Sequence, residues 1–215
     1  MKKVMLIAAI STVTILGCTK EEIIEVENTP SSSNQSTAHM PLAIGNYWIY
    51  DTYSIDTLGN ETLSNTSDSA FIARDTIING ATYYLVEGDF NARIAVGSYL
   101  RNEENSLVNF YGSILFTTNN IGSIFSRDTI SIGGGEYIYL STWVNTQSAS
   151  ITVPAGTFNA YDKETEVVAT QTEYPWGTRS FHTYYNKNVG AILNQYYYYS
   201  SPNVNESRLV RYHLN

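Results

Sequence analysis

The chain has 215 residues with 12 Lys and Arg against 20 Asp and Glu, a formal charge of −8. That acidity disfavours nucleic acid and anionic membrane faces as partners. A single cysteine excludes a disulfide framework and a cysteine-built metal site.

The chain starts with Met1-Lys2-Lys3, continues through a short apolar run from Val4 to Leu16, and reaches Gly17 and Cys18. A basic start, an apolar stretch and a small residue make a secretory signal. The run is too short to cross about 30 Å of hydrocarbon as a stable helix. Removal of residues 1–17 takes Lys2 and Lys3 and leaves ten basic against twenty acidic residues, a charge of −10.

Ile15-Leu16-Gly17-Cys18 resembles the bacterial lipobox. The resemblance implies a diacylglyceryl group on the Cys18 sulfur, cleavage before Cys18 and acylation of the new amino terminus, as with palmitate. Each buried CH₂ contributes about 0.8 kcal/mol, and one chain alone anchors only marginally. Two or three chains on one cysteine would hold the protein at a membrane. Lys20-Glu21-Glu22 resembles the export signal of Bacteroidetes surface lipoproteins. That implies the outer membrane, at the cell surface or otherwise on its periplasmic face.

Residues 18–40 read as the acylated cysteine and a flexible tether containing Pro30-Ser31-Ser32-Ser33, with His39 inside it. Residues 41–215 are long enough for one domain. They are rich in Tyr, Thr, Val and Ile, cut by Gly, Asn and Asp. Strands are predicted at 47–56, 67–78, 81–88, 97–103, 106–111, 127–132, 136–145, 149–153, 157–170, 179–186, 190–199 and 207–214. Asn79-Gly80 is the strongest hairpin signal; Glu104-Asn105 and Gly133-Gly134-Gly135 mark further turns. Sustained helical spacing is missing, so little helix is expected. In 137–144, Tyr137, Tyr139, Ser141 and Trp143 share one face, and Ile138, Leu140, Thr142 and Val144 the other. Tyr47, Ile49, Tyr53 and Ile55 likewise share a face with Asp51. Apolar bulk on both faces predicts an all-β domain: a single, strongly curved antiparallel sheet, half-barrel or barrel-like, with an aliphatic inside and an aromatic second face.

Pro41 to Tyr50 (PLAIGNYWIY), Val153 to Tyr161 (VPAGTFNAY), Tyr184 to Leu193 (YYNKNVGAIL) and the closing Leu209-Val210-Arg211-Tyr212 resemble a set of uncharacterised bacterial lipoprotein domains. The resemblance implies a curved antiparallel sheet and carries over no catalytic residue. In physical terms Gly45-Asn46 suits a turn, Trp48 can anchor its strand in the core, and Gly156 is expected at positive φ. Asn188-Val189-Gly190 reads as another corner.

His39, His182 and His213 lack zinc-ligand spacing, and neither a nucleophile elbow nor a phosphate loop is present. No metal, cofactor or catalytic set is indicated. Asp162, Glu164 and Glu166 alternate on one strand face; paired carboxylates can hydrolyse glycosides at about 5–10 Å separation, but a charge-guarded strand edge explains them more simply. The Asp51, Asp56, Gly59, Asn60, Glu61 region has oxygen ligands without calcium-loop spacing and reads as a hairpin turn.

Tyr196-Tyr197-Tyr198-Tyr199 must show tyrosine on both faces of a strand. Trp176, Tyr174, Tyr197 and Tyr199 are the candidate ligand-binding aromatics, suited to stacking on sugar rings or packing on a partner. Four of the seven aspartates precede a hydroxyl and an aliphatic residue, and this pattern resembles the Bacteroidetes O-glycosylation site. It makes Thr57, Ser69, Thr76 and Thr129 candidate glycan carriers. The expectation is a lipid-anchored exported protein that binds a glycan or apolar ligand without catalysis. The alternatives are a structural or partner-binding envelope lipoprotein and a carboxylate-dependent hydrolase.

Overall fold

The computed structural model describes residues 39–89, 95–170, 177–198 and 201–215, all within the unit Asn34–Asn215. Thirteen strands form among them: β1 (Tyr47–Ile55), β2 (Glu61–Ile78), β3 (Ala81–Gly88), β4 (Tyr99–Glu103), β5 (Ser106–Asn109), β6 (Ile114–Thr117), β7 (Ser126–Gly133), β8 (Glu136–Val144), β9 (Ala149–Val153), β10 (Gly156–Ala169), β11 (Arg179–Asn186), β12 (Gly190–Tyr196) and β13 (Val204–His213). Each of the twelve predicted strands is present. The four-residue β6 was not predicted, being too short to show alternation. β2 begins at Glu61 instead of residue 67: Thr62, Ser64, Asn65 and Thr66 read as turn residues, yet Glu61, Thr62 and Leu63 pair with β1, and residues 64–66 fall in the register shift that follows. The Asn79-Gly80 hairpin closes with φ of 50° and 80°, the doubly positive turn that matches strand twist. Gly156 has φ 137°.

The strands form one antiparallel sheet in the order β6-β5-β4-β3-β2-β1-β13-β12-β11-β10-β8-β7, with β9 added to β10. Two meanders are thus joined where β1 pairs β13, from Tyr47 opposite His213 to Ile55 opposite Val204. The sheet curls until its edge strand β6 reaches the opposite meander: the Phe116 ring lies 4.4 Å from Tyr185 on β11 and 6.1 Å from Tyr161 on β10. The result is an all-β sheet nearly closed into a barrel.

The inside is not aliphatic along β1, as the sequence had suggested. Trp48 and Tyr50 point inward and are fully buried. The indole N–H of Trp48 donates to the Val189 carbonyl at 2.6 Å, and the Tyr50 hydroxyl to the Ala191 carbonyl at 2.7 Å. With both polar ends satisfied, these large rings fill the core without leaving an unmade hydrogen bond. On β8 the expected alternation holds: Val144 is buried, and Tyr137 and Tyr139 are exposed.

His39 and Met40, assigned to the tether by composition, are each only 2% exposed. Core packing therefore includes the two residues before Pro41. The His39 ring sits 4.6 Å from Phe116 and 5.2 Å from Tyr161, and its Nε2 lies 3.2 Å from Thr118 Oγ1. The Met40 carbonyl accepts from Asn102 Nδ2 at 2.9 Å. Two residues thus plug the seam between β6 and β10. Asn46, fully buried, ties the same end shut: its Nδ2 donates to the Pro41 carbonyl and its Oδ1 accepts from the Asn215 N–H. Truncating a buried Met leaves a cavity, so Met40→Ala is expected to cost about 2–5 kcal/mol in urea unfolding; a change within error would show that the domain packs without this plug.

Candidate functional site

Beyond Tyr50 the inward side chains of β1 turn polar. Ser54 pairs Thr62 on β2 and Asn205 on β13, and Asn205 pairs Tyr196 on β12. Thr62, Ser54, Asn205 and Tyr196 therefore form one row across four strands. Around this row opens a cleft of about 310 Å³, whose walls also include Thr52, Ser64, Asp68 and Tyr198, with Leu63 at one side. Tyr196 and Tyr198 meet at 6.0 Å and 87°, giving two perpendicular aromatic walls. Asp68 is buried, and its Oδ2 lies 3.4 Å from Thr52 Oγ1. Hydroxyls, an amide, a carboxylate and two phenol rings line one concavity, which is the donor, acceptor and stacking set that a polyhydroxylated ring requires.

The next inward row is Thr52, Ser207, Asn194, Thr183 and Lys163, placed opposite one another along β1, β13, β12, β11 and β10. Its middle is closed: Ser207, Asn194 and Thr183 are buried, and Thr183 Oγ1 donates to Asn194 Oδ1 at 2.7 Å. The Lys163 ammonium lies 5.7 Å from the Tyr185 ring, and burial lowers its pKa to about 8.

The opposite face carries a second polar row. His182 Nδ1 lies 2.8 Å from Asp162 Oδ1. Asn145 Nδ2 donates to Asp162 Oδ2 at 2.9 Å and to Glu164 Oε2 at 3.0 Å. The Asn145 Oδ1 in turn accepts from Trp143 Nε1 at 2.9 Å. Gln195 accepts from the His182 N–H and donates to Glu206 Oε1. Arg208 then joins Glu206 to Glu61 and lies over the Tyr53 ring at 4.4 Å. The hydrogen bond to Asp162 raises the His182 pKa. Burial, followed by the charges of Asp162, Glu206 and Glu164, pushes the Tyr184 hydroxyl to about 12.

No family model and no curated protein matches the chain. Two solved structures are similar to it. A Bacteroides fragilis protein, assigned as exported and described as having a YmcC-like fold, is 13% identical with a TM-score of 0.47, over 81% of this chain and 98% of that one. A Parabacteroides distasonis protein assigned as a lipoprotein is 13% identical with a TM-score of 0.42, over 82% and 98% of the two chains.

Of the four aromatic residues singled out from sequence, Tyr174, Trp176 and Tyr199 lie outside the described residues, as do Cys18 and the Lys20-Glu21-Glu22 segment. Tyr197 is not among the cleft walls. Its ring packs under the Arg179 guanidinium at 3.5 Å and edge-on to Phe181 at 5.9 Å. Its neighbours Tyr196 and Tyr198 line the cleft instead, and only the strand register distinguishes them. Thr57 and Thr129 are exposed, whereas Ser69 and Thr76 are half-buried, and the Ser69 hydroxyl is 3.2 Å from Asp89. Asp56 folds its carboxylate onto Leu58 N and Asn60 N at 2.8 Å, so this acidic turn is a hairpin cap, as expected. Asp162 and Glu164 are half-buried around one amide, not a free charged edge. His213 stacks on Tyr47 at 5.7 Å.

The histidines differ sharply. Burial, then Lys187, lowers His39 to about 4. Above about 6.5 His39 is neutral folded or unfolded; as pH falls from 6.5 toward 4 only the unfolded chain takes the proton, so stability falls. His182 runs the other way: its pairing stabilises below about 6.5 and fades as pH rises through its raised value. An NMR titration should show one histidine above 6.5 and one near 4. Asp162→Asn should pull the first down and leave the second in place; coincident midpoints would contradict both placements.

Proposed function

We propose that this chain is an exported, lipid-anchored protein that binds the end of a sugar chain in the cleft between β1, β2, β12 and β13 and performs no chemistry on it. The observation that carries the reading is the row Thr62, Ser54, Asn205 and Tyr196, with Tyr198 beside it. Its hydroxyls and amide can pair sugar hydroxyls, and an aromatic wall can stack on a ring. The anchor rests on the lipobox resemblance at Ile15 to Cys18 and the outer-membrane placement on Lys20-Glu21-Glu22. An apolar ligand is the weaker choice, because Trp48, Tyr50, Phe116 and Leu209 fill the apolar half of the interior.

A second reading, docking of an envelope protein, is favoured by the β7–β8 hairpin, where Ile130, Ile132, Tyr137 and Tyr139 are all exposed. Glycan addition at the Asp-Ser/Thr sites fits Thr57 and Thr129 better than the half-buried Ser69 and Thr76. Intact-mass and peptide analysis of the native protein should find any hexose increment on those two; lipid mass alone would remove the modification.

Full-length protein in detergent, titrated with neutral sugar oligomers by calorimetry, tests the main reading. Tyr198→Ala, an exposed position, should weaken binding about tenfold, about 1.4 kcal/mol, with the melting temperature unchanged. Cys18→Ser should keep binding and leave the envelope fraction. Failure of every oligomer to bind removes the sugar reading; a serine variant that still partitions with the envelope removes the anchor.

A further inference from the structure

Lys163 stands outside the cleft, on the concave face of β10, opposite Val144 on β8 and Thr183 on β11, both buried. Its neighbours along the strand, Asp162 and Glu164, are carboxylates, but they point to the convex face. There Asn145 bonds both, and His182 meets Asp162. Four arginines also find oxygen: Arg208 meets Glu61 and Glu206, Arg101 meets Glu103, Arg74 approaches Glu87, and Arg179 donates to the Ser201 carbonyl. Among the described residues no such oxygen pairs with the Lys163 ammonium. The Tyr185 ring, at 5.7 Å, is close to the outer limit of about 6 Å for cation–π attraction. A charge withdrawn from water is costly unless paired, and an inward polar group without a partner calls for an ion or ligand. Solvent still reaches part of this side chain, so a small ion can approach it. Two residues along the same face, Thr165 Oγ1 lies 3.0 Å from Thr142 Oγ1. Two hydroxyls that share one hydrogen bond leave one O–H to donate.

We infer that Lys163 anchors an anion site inside the curled sheet, and that its ligand is a small monocarboxylate with a short apolar body. The ammonium holds one carboxylate oxygen as an ion pair, and the spare O–H of the Thr142–Thr165 pair serves the other. One ammonium balances one negative charge; a dianion such as a phosphate monoester would keep an unbalanced charge in a chain of net charge −8. Val144 and the Tyr185 ring flank the ammonium, which suits CH₂ groups better than hydroxyls. Buried Thr183, Asn194 and Ser207 lie between this site and the cleft wall Thr52, so it stands or falls apart from the sugar reading.

Full-length protein in detergent is melted at pH 7 with sodium butyrate, with sodium chloride at equal ionic strength, or with the neutral isostere butyramide. Butyrate at about 20 mM should raise the melting temperature by about 3–6 °C and saturate. Chloride and butyramide should each leave it within about 1 °C. Lys163→Met puts an apolar chain of similar length in the same place and should fold but lose the response; Lys163→Arg keeps the cation and should keep the response. The amine holds an anion only while protonated, and burial places its pKa at about 8. Wild-type affinity should therefore fall about tenfold from pH 7 to pH 9, and that of Lys163→Arg should stay level. The ionisable groups on the same inward side are Tyr185 from β11, Tyr161 from β10 and His39 beyond it; β8 offers Val144 and Thr142, which carry no charge. Burial pushes the Tyr185 hydroxyl to about 12 and brings His39 down to about 4, both outside that window. A butyrate effect no larger than that of chloride or butyramide overturns the site. A response that survives in Lys163→Met, or a wild-type affinity that is the same at pH 7 and pH 9, overturns the role of Lys163.

Discussion

Everything in this fold depends on curvature strong enough for one strand's inward side chains to reach the strand two places away. Trp48 and Tyr50 stand on β1, and the carbonyls they bond belong to Val189 and Ala191, at the start of β12, with β13 between. In a flat sheet, strands 4.7–4.9 Å apart put that backbone about 10 Å to the side. Side chains standing perpendicular to the sheet would miss it. Register shifts supply the bend: β1 slips against β13 between Ile49 and Tyr50, and against β2 between Asp51 and Tyr53. Bulges raise local twist and turn a strand. The same bend carries β6 round to Phe116 on Tyr185, and His39 with Met40 fill the gap that remains.

That closure divides the interior by polarity. Up to Tyr50 the inward residues are large and apolar or capped by one hydrogen bond; from Thr52 onward they are small and hydroxylated. The polar half is not an error of packing. Thr142 meets Thr165 at 3.0 Å and the Thr183 hydroxyl donates to the Asn194 amide oxygen at 2.7 Å, so these inward hydroxyls find partners within the sheet. A rigid apolar end holds four strands in register, and an open polar end presents the groups those strands carry. On the proposed reading, stability and recognition occupy different halves of the same strands, and a change in the cleft need not loosen the core.

The strand pattern was readable from sequence because alternation and turn residues act locally: Asn79-Gly80 and Gly156 adopt the conformations their chemistry permits. Trp48 was recognised as an anchor for a similar reason, since an indole beside a turn has few other places to go. What escaped depends on long-range pairing. Thr62 and Ser64 lie in a stretch with turn-like composition, and nothing local shows that they join β2. His39 sits in a segment too polar to suggest burial, and its place in the core is created by Phe116, Tyr161 and Thr118, residues 77 to 122 positions away.

The cleft itself leaves almost no trace in the sequence, for a physical reason. Its walls are Thr, Ser and Tyr, residues that strands favour in any case, so the residues that would bind are also those that build the sheet. No spacing rule marks them, because Ser54 and Asn205 become neighbours only when β1 pairs β13. The tyrosine run shows the limit most sharply. Either Tyr196 and Tyr198 or Tyr197 and Tyr199 could face inward, and side-chain alternation alone is indifferent between them. The choice passes through every register shift in the sheet, including the one on β11 and β12 between Tyr184 and Tyr185. A slip of one residue at such a bulge exchanges the two faces. Which described tyrosines line the cleft is therefore a property of the closed sheet, beyond the reach of a local reading.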